Sequence, residues 1–296
     1  MTAVSADPQS FRMFHYKSFD GLKLAARIYE ASSGALPLVC LAGLSRSSRD
    51  FHELATLVAA DPEKPRRVIA FDYRGRGASE YDPNPLGYTI PNELRDLFDG
   101  LAALDVTRAI VFGTSRGGIL TTLAASIRPE LVAAAVLNDI GPEVDPIGLA
   151  EIRSYLGKNP TPTDWPAAVA TLKRIHEKRF TALSDTDWEA WARMSYADRD
   201  GRPHIDYDRA LVATIEPPPG DPPPPDLWPQ FRLLAAAPVL ILRGGNSALL
   251  NAATADAMAA ASPNATLETV PGQGHPVQLR GAVNERVAAW LAALPE

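Results

Sequence analysis

The chain is poor in several features that define whole classes of protein. It has one cysteine, Cys40, in 296 residues, so no internal disulfide can form. Set in Leu38-Val39-Cys40-Leu41, that thiol reads as a buried strand residue. Positive charge is in deficit, with 29 Lys and Arg against 35 Asp and Glu and a formal net charge of -6. Such a surface favours solubility and offers no basic face to neutralise the phosphates of nucleic acid or anionic lipid. Long apolar runs are missing as well: stretches such as Leu131 to Leu137 fall far short of the roughly 20 residues that a membrane-spanning helix needs. Met1 to Phe11 is polar and carries Asp7 and Pro8 where a secretory peptide would have an apolar core, so a cytoplasmic location is expected.

What is there suits an ordinary folded enzyme. Hydrophobic residues make up 46% and charged residues 22%, far from the composition of a disordered chain. The length allows one large α/β domain with an insertion, or two small domains. Met13 to Lys17 and Leu24 to Ile28 read as strands around the turn at Asp20-Gly21, an antiparallel edge. From Pro37 onward, short apolar runs alternate with segments of helical period. The strand runs are Leu38 to Leu41, Val68 to Phe71, Ala109 to Phe112, Ala133 to Leu137, Val239 to Leu242 and Ala265 to Val270. Most are continuous rather than alternating, the pattern of parallel strands covered on both faces. Helices are predicted over Phe51 to Ala59, Pro91 to Leu104, Gly118 to Ile127, Ala252 to Ala261 and Ala282 to Leu294. The alternation breaks between Gly141 and Trp228, where a helical, Trp-bearing stretch ends in the proline run from Pro217 to Pro225. We read residues 141–228 as a helical cap inserted between core segments 1–140 and 229–296, and the proline run as a stiff polyproline-type tether.

Three loops carry candidate chemistry. Gly113-Thr114-Ser115-Arg116-Gly117 stands between a predicted strand and a predicted helix. That is the context in which G-x-S-x-G exposes a nucleophile on a tight turn, the small glycines letting crowded backbone pass. The turn also aims the Arg116 amide at the place where an oxyanion would form. Leu41-Ala42-Gly43-Leu44-Ser45 follows another strand and offers the Leu44 amide as a second donor. Gly272-Gln273-Gly274-His275-Pro276 lies between the last strand and the last helix, where a loop histidine reaches a serine on a neighbouring strand end and acts as its base. The other histidines are less well placed: His15 in the first hairpin, His52 in a helix, His176 and His204 in the cap. Within the cap, Trp165, Trp188, Trp191 and Tyr196 either wall a substrate pocket or form the cap's own core.

These features, in this order, resemble the α/β-hydrolase superfamily over nearly the whole chain apart from the cap. Phe71-Asp72-Tyr73-Arg74-Gly75-Arg76-Gly77-Ala78-Ser79 is similar to the family's D-x-R-G-x-G-x-S segment, whose Asp and Arg, here Asp72 and Arg74, are chiefly structural. Ala42-Gly43 stands where the family usually has His-Gly. The resemblance implies a mostly parallel sheet flanked by helices, Ser115 as nucleophile, His275 as base, and a carboxylate orienting the histidine. In the family that acid usually sits in the loop after the penultimate strand, but Arg243-Gly244-Gly245-Asn246-Ser247-Ala248-Leu249-Leu250 contains none. The expected aspartate aligns with Ala248. Either Ala248 replaces it in an inactivated variant, or Asp139, at the end of the preceding strand, takes its place, or the triad is poorer. Loss of the acid with serine and histidine intact costs on the order of 10⁴ in turnover. The expected activity is hydrolysis of a small-molecule carboxylic ester or lactone through an acyl-enzyme, with no cofactor or metal. Hydrolysis of a carbon–carbon bond beside a ketone, or ligand binding without catalysis, are the alternatives.

Overall fold

The computed structural model describes residues 11–216 and 225–295. The proline-run tether expected at 217–225 therefore lies almost wholly outside the described residues, as do residues 1–10.

Eight strands form one sheet: β1 (Arg12–Lys17), β2 (Lys23–Tyr29), β3 (Leu38–Leu41), β4 (Val68–Asp72), β5 (Ala109–Thr114), β6 (Val132–Asn138), β9 (Val239–Gly244) and β10 (Ala265–Val270). Their order is β1-β2-β4-β3-β5-β6-β9-β10. β1 pairs antiparallel with β2 and β2 antiparallel with β4, while every pairing from β4 to β10 is parallel. The expected hairpin edge and parallel core are both present.

The continuous apolar strands are explained by the two faces they supply. Along β3, Val39 and Leu41 join the cluster on one face and Leu38 and Cys40 the cluster on the other. β4 and β5 divide in the same way, Ile69, Phe71 and Val111 against Val68, Ala70, Ile110 and Phe112. The first face is covered by α2 (Ile90–Ala103), α3 (Arg116–Ile127), α7 (Trp228–Leu234) and α8 (Ala252–Ala261), which contribute Leu97, Leu120, Phe231 and Met258. The second is covered by α1 (His52–Ala59) and α9 (Ala282–Ala293), through Leu54 and Val287. Side chains of alternating direction, each buried on its own face, keep the middle of these strands apolar, and polar residues stand only at their carboxyl ends, as Asp72 on β4 and Thr114 on β5.

Between β6 and α7 lie α4 (Pro146–Tyr155), α5 (Trp165–His176), α6 (Asp185–Ser195) and a hairpin of β7 (Tyr196–Arg199) and β8 (Arg202–Ile205). This stretch is thus not purely helical. It has its own apolar cluster, centred on Ala168, Leu172, Phe180, Trp188 and Trp191. No helix among the described residues is long and apolar enough to cross a membrane.

Candidate active site

Parallel strands end together, and their carboxyl ends bring the three sequence-predicted loops to one place. Ser115 follows β5 directly and is the N-cap of α3, with φ 51° and ψ -114°. A non-glycine residue in that region is strained and needs its surroundings to hold it. Three hydrogen bonds do so: Ser115 N–H donates to Asn138 O (3.1 Å), and Ser115 O accepts from Gly118 N–H (2.8 Å) and Ile119 N–H (3.2 Å). Glycine is required at 117, because a Cβ there would lie 2.0 Å from Leu41 O. That contact shows how closely the start of α3 approaches the end of β3.

His275 enters from the loop after β10. Its Nε2 lies 2.9 Å from Ser115 Oγ and its Nδ1 lies 2.8 Å from Asp139 Oδ2. Asp139, fully buried at the end of β6 with φ 57°, is fixed by two further donors. Gly244 N–H reaches Oδ1 at 2.8 Å and Ser247 O–H reaches Oδ2 at 2.6 Å. The 243–250 loop therefore supplies hydrogen-bond donors to an acid borne on the neighbouring strand. Ala248 has no polar side chain to offer His275, and it packs against α4: a Cβ on Gly148 would meet Ala248 C and O at 2.6 Å.

Leu44 and Arg116 flank the serine. A Cβ on Gly43 would meet Ser115 Cβ at 3.8 Å, which places the 43–44 peptide beside the nucleophile. Gly43 O accepts from Arg46 N–H (3.1 Å), so the Leu44 N–H on the opposite side of that peptide is turned away from the loop's own hydrogen bond.

Leu44, Ser115 and His275 line a cavity of about 170 Å³ between the sheet's carboxyl edge and the described residues 141–216. Of the aromatic residues singled out in the sequence, Trp191 and Tyr196 line it. Trp165 and Trp188 do not. Trp188 is buried in the cluster on α5 and α6 and stacks on Trp191 at 5.2 Å between centroids. Trp165 is partly buried against the same cluster, its Nε1 donating to Gly201 O (3.0 Å) and its ring carrying the Arg193 guanidinium at 3.7 Å. At helical spacing the four aromatic residues share out between pocket and core, a division that depends on how α5 turns relative to α6.

Sequence reasoning missed His176 and Arg46. His176, at the end of α5, lines the cavity and stacks on Trp191 with 4.8 Å between ring centroids. Burial, reinforced by the nearby Arg46 and His275, pushes its pKa down to about 3, so it is neutral at pH 7. Arg46 also lines the cavity but is matched by Asp50, with Nε–Oδ2 at 2.8 Å and Nη2–Oδ1 at 2.6 Å, and it donates to Ser195 Oγ of α6. No clue in the sequence separated His176 from an ordinary cap histidine, because its position depends on the packing of the cap. Arg46 sits two residues beyond the candidate donor Leu44, and that proximity was the available signal.

Residues 38–290 match the alpha/beta hydrolase family, and the chain belongs to that family. It is 30% identical over 253 residues to a 3-hydroxybutyrate-oligomer hydrolase of Cupriavidus necator, covering 80% of this chain and 82% of that protein. It is 27% identical over 274 residues to an sn-1-specific diacylglycerol lipase of Xenopus laevis, covering 85% and 78%. Among solved structures, an alpha/beta hydrolase from Novosphingobium aromaticivorans superposes with a TM-score of 0.87 at 38% identity, covering 95% of this chain and 97% of that one.

Proposed function

We propose that this chain is a serine hydrolase that cleaves a carboxylic ester or lactone through an acyl-enzyme, with Ser115, His275 and Asp139 as its triad. The observation that carries the reading is the continuous path from Asp139 Oδ2 through both ring nitrogens of His275 to Ser115 Oγ, at 2.8 and 2.9 Å, opening into a cavity. The names of the Cupriavidus and Xenopus relatives agree with ester cleavage, since the linkages in a hydroxybutyrate oligomer and a diacylglycerol are esters.

In this mechanism His275 Nε2 takes the proton of Ser115 as Oγ attacks the acyl carbon, while Asp139 holds the ring by its other nitrogen and stabilises the imidazolium. The Leu44 and Arg116 amides receive the oxyanion. The tetrahedral adduct collapses as His275 returns the proton to the departing alcohol oxygen. In a lactone that oxygen stays tethered to the acyl group. Water, deprotonated by His275, then attacks the acyl-serine and releases the carboxylic acid and the free serine. The segment 141–228 acts as a cap over the bound acyl or alcohol part, with Trp191 and Tyr196 against it and Arg46 neutralised by Asp50. Asp139 beside His275 favours catalysis over ligand binding without it.

The test is labelling by a fluorophosphonate probe together with turnover of p-nitrophenyl esters. Wild-type protein is expected to label and Ser115→Ala to lose both label and turnover. Labelling that survives in Ser115→Ala would sink the proposal.

A further inference from the structure

Helix α2 places a carboxylate where its amphipathic pattern would put an apolar residue. Glu93, one turn into the helix, has no solvent exposure. Burying a carboxylate is costly unless charge and hydrogen bonds meet it. Glu93 is met by two guanidiniums: Oε1 lies 2.8 Å from Arg76 Nη2 and Oε2 lies 2.7 Å from Arg116 Nε. Burial pushes the Glu93 pKa up, but the two cations outweigh it and hold the carboxyl below its usual value, as the anion.

Each of those arginines leads to one side of the nucleophile. Arg76, itself fully buried, donates from Nε to Leu44 O at 2.8 Å and from Nη1 to Arg74 O at 2.7 Å. Its grip on the Leu44 carbonyl fixes the plane of the peptide that follows the Leu44 N–H. Arg116 follows Ser115 directly, and its backbone N–H heads α3 while its side chain turns back to Glu93. One carboxylate thus ties the loop after β3 to the start of α3, two segments that no strand pairing joins at these residues. The three groups together carry one net positive charge, with Glu93 and Arg76 fully buried and Arg116 nearly so.

We propose that Glu93 is a positioning residue of the hydrolytic site, holding the Leu44 and Arg116 amides in register through Arg76 and Arg116. This rests on the reading of Ser115 as the nucleophile. A donor pair that is fixed before the reaction stabilises the oxyanion without reorganising, whereas one that must find its place loses most of that benefit. Removing the Glu93 charge should therefore weaken the transition state and leave ground-state binding nearly untouched.

The experiment compares wild type, Glu93→Gln, Glu93→Asp and Arg116→Gln in the full chain. It measures kcat and KM for a p-nitrophenyl ester, normalised to fluorophosphonate-titrated Ser115. It also measures the inhibition constant of an aryl trifluoromethyl ketone. Ser115 Oγ adds to that ketone's carbonyl carbon, the serine proton passes to His275, and the carbonyl oxygen becomes an alkoxide in the donor pair. Glu93→Gln is expected to lower kcat about 10- to 100-fold with KM within about twofold, and to weaken the ketone by the same factor as kcat. Glu93→Asp should recover part of both. Arg116→Gln, which keeps the backbone amide and the Arg76–Glu93 pair, should show a smaller loss of both. A purely structural role would lower the titratable fraction without moving the titrated kcat or the ketone constant. That outcome in Glu93→Gln, or in Arg116→Gln if Glu93→Gln does not fold, overturns the proposal. If wild type itself shows no Ser115-dependent labelling, the serine-hydrolase reading fails and this inference falls with it.

Discussion

Ser115 and Asp139 are both non-glycine residues at positive φ, at 51° and 57°, and they face the same histidine. Strained backbone persists where its surroundings determine it from several sides. For Asp139 those surroundings are Gly244 N–H, Ser247 Oγ and His275 Nδ1. Asp139→Asn keeps the shape but removes the charge and lets the histidine take the wrong tautomer, so kcat for a p-nitrophenyl ester should fall on the order of 10⁴-fold. Ala248→Asp, by contrast, should give no gain in kcat, because the position beside His275 is filled. A rise of orders of magnitude would instead show that Ala248 has replaced the acid. The candidate serine and histidine were legible in the sequence because each lies in a short glycine-flanked motif with a fixed place between strand and helix. The candidate acid was legible only as a choice between two positions, since the 243–250 loop keeps the backbone and Ser247 that hold the Asp139 carboxylate but carries no carboxylate itself. His176, set aside in the sequence as a less well placed histidine, makes its own prediction. Its folded pKa, pushed down to about 3, lies below the ordinary histidine value, so between these the unfolded chain binds the extra proton. Stability should rise with pH across that window and be lost as pH falls from about 6.5 toward 3. Replacing His176 by Phe should remove the part of the acid loss that this one proton causes, a slope of at most ~1.4 kcal/mol per pH unit. Urea unfolding of both proteins at pH 7 and pH 4.5 measures the difference.

At the scale of elements, strand cores were readable and their ends were not. β3 and β10 have the bounds expected, while β5 and β6 run on to Thr114 and Asn138. Those added residues are polar or glycine and look like loop, yet Asn138 Nδ2 donates to Val277 O at 3.0 Å and Thr114 stays in the ladder opposite it. The helices begin where caps allow: Thr89 Oγ1 accepts from Asn92 N–H at the head of α2, with Pro91 in its first turn. The β7–β8 hairpin was missed because Tyr196 to Ile205 has no clean alternation and contains Pro203, and its pairing is set by the turn at Asp200-Gly201. Helix α4 is where the segment after β6 meets the 243–250 loop. Gly148 has no room for a Cβ, which would fall 2.5 Å from Leu249 Cα. Gly148→Ala would gain up to about 1 kcal/mol of helix propensity, but the clash is with backbone and costs typically ~1–3 kcal/mol. The net effect should be a lower Tm together with reduced esterase turnover, as the 247–249 segment moves and Ser247 loses its hold on Asp139. An unchanged Tm would show that α4 shifts freely.

For the whole molecule, the question is how a segment with its own apolar cluster stays registered over the sheet. Its attachments fall into two groups, one on the loops after β3 and β4 and one on the loops after β9 and β10. On one side Arg49 Nη2 meets Asp206 Oδ2 at 2.6 Å, Gly77 N–H donates to Asp206 O at 3.1 Å, and Tyr88 O–H donates to Asp208 Oδ2 at 2.6 Å. On the other, Asn246 Nδ2 donates to Arg179 O at 2.9 Å and Thr181 N–H donates to Gly272 O at 2.8 Å. Arg280 Nε completes that side, 3.2 Å from Asp187 Oδ1. These bonds end on the loops that carry the candidate nucleophile's neighbours, so cap position and cavity shape are linked. The Arg49–Asp206 pair is only partly exposed, so removing one partner leaves the other charge partly desolvated and unpaired. Asp206→Ala leaves Arg49 without its carboxylate and should loosen that side of the cap while sparing Ser115, His275 and Asp139. KM for a long-chain p-nitrophenyl ester, whose acyl tail would lie against the cap, should then rise several-fold. For the acetate, which needs only the serine end of the cavity, kcat/KM should change by less than about twofold. Limited proteolysis provides the physical counterpart, with faster cleavage within 141–228 in Asp206→Ala than in wild type. Equal losses for both esters would instead mean that Asp206 acts on the serine end itself, through Gly77 and the adjacent Arg76.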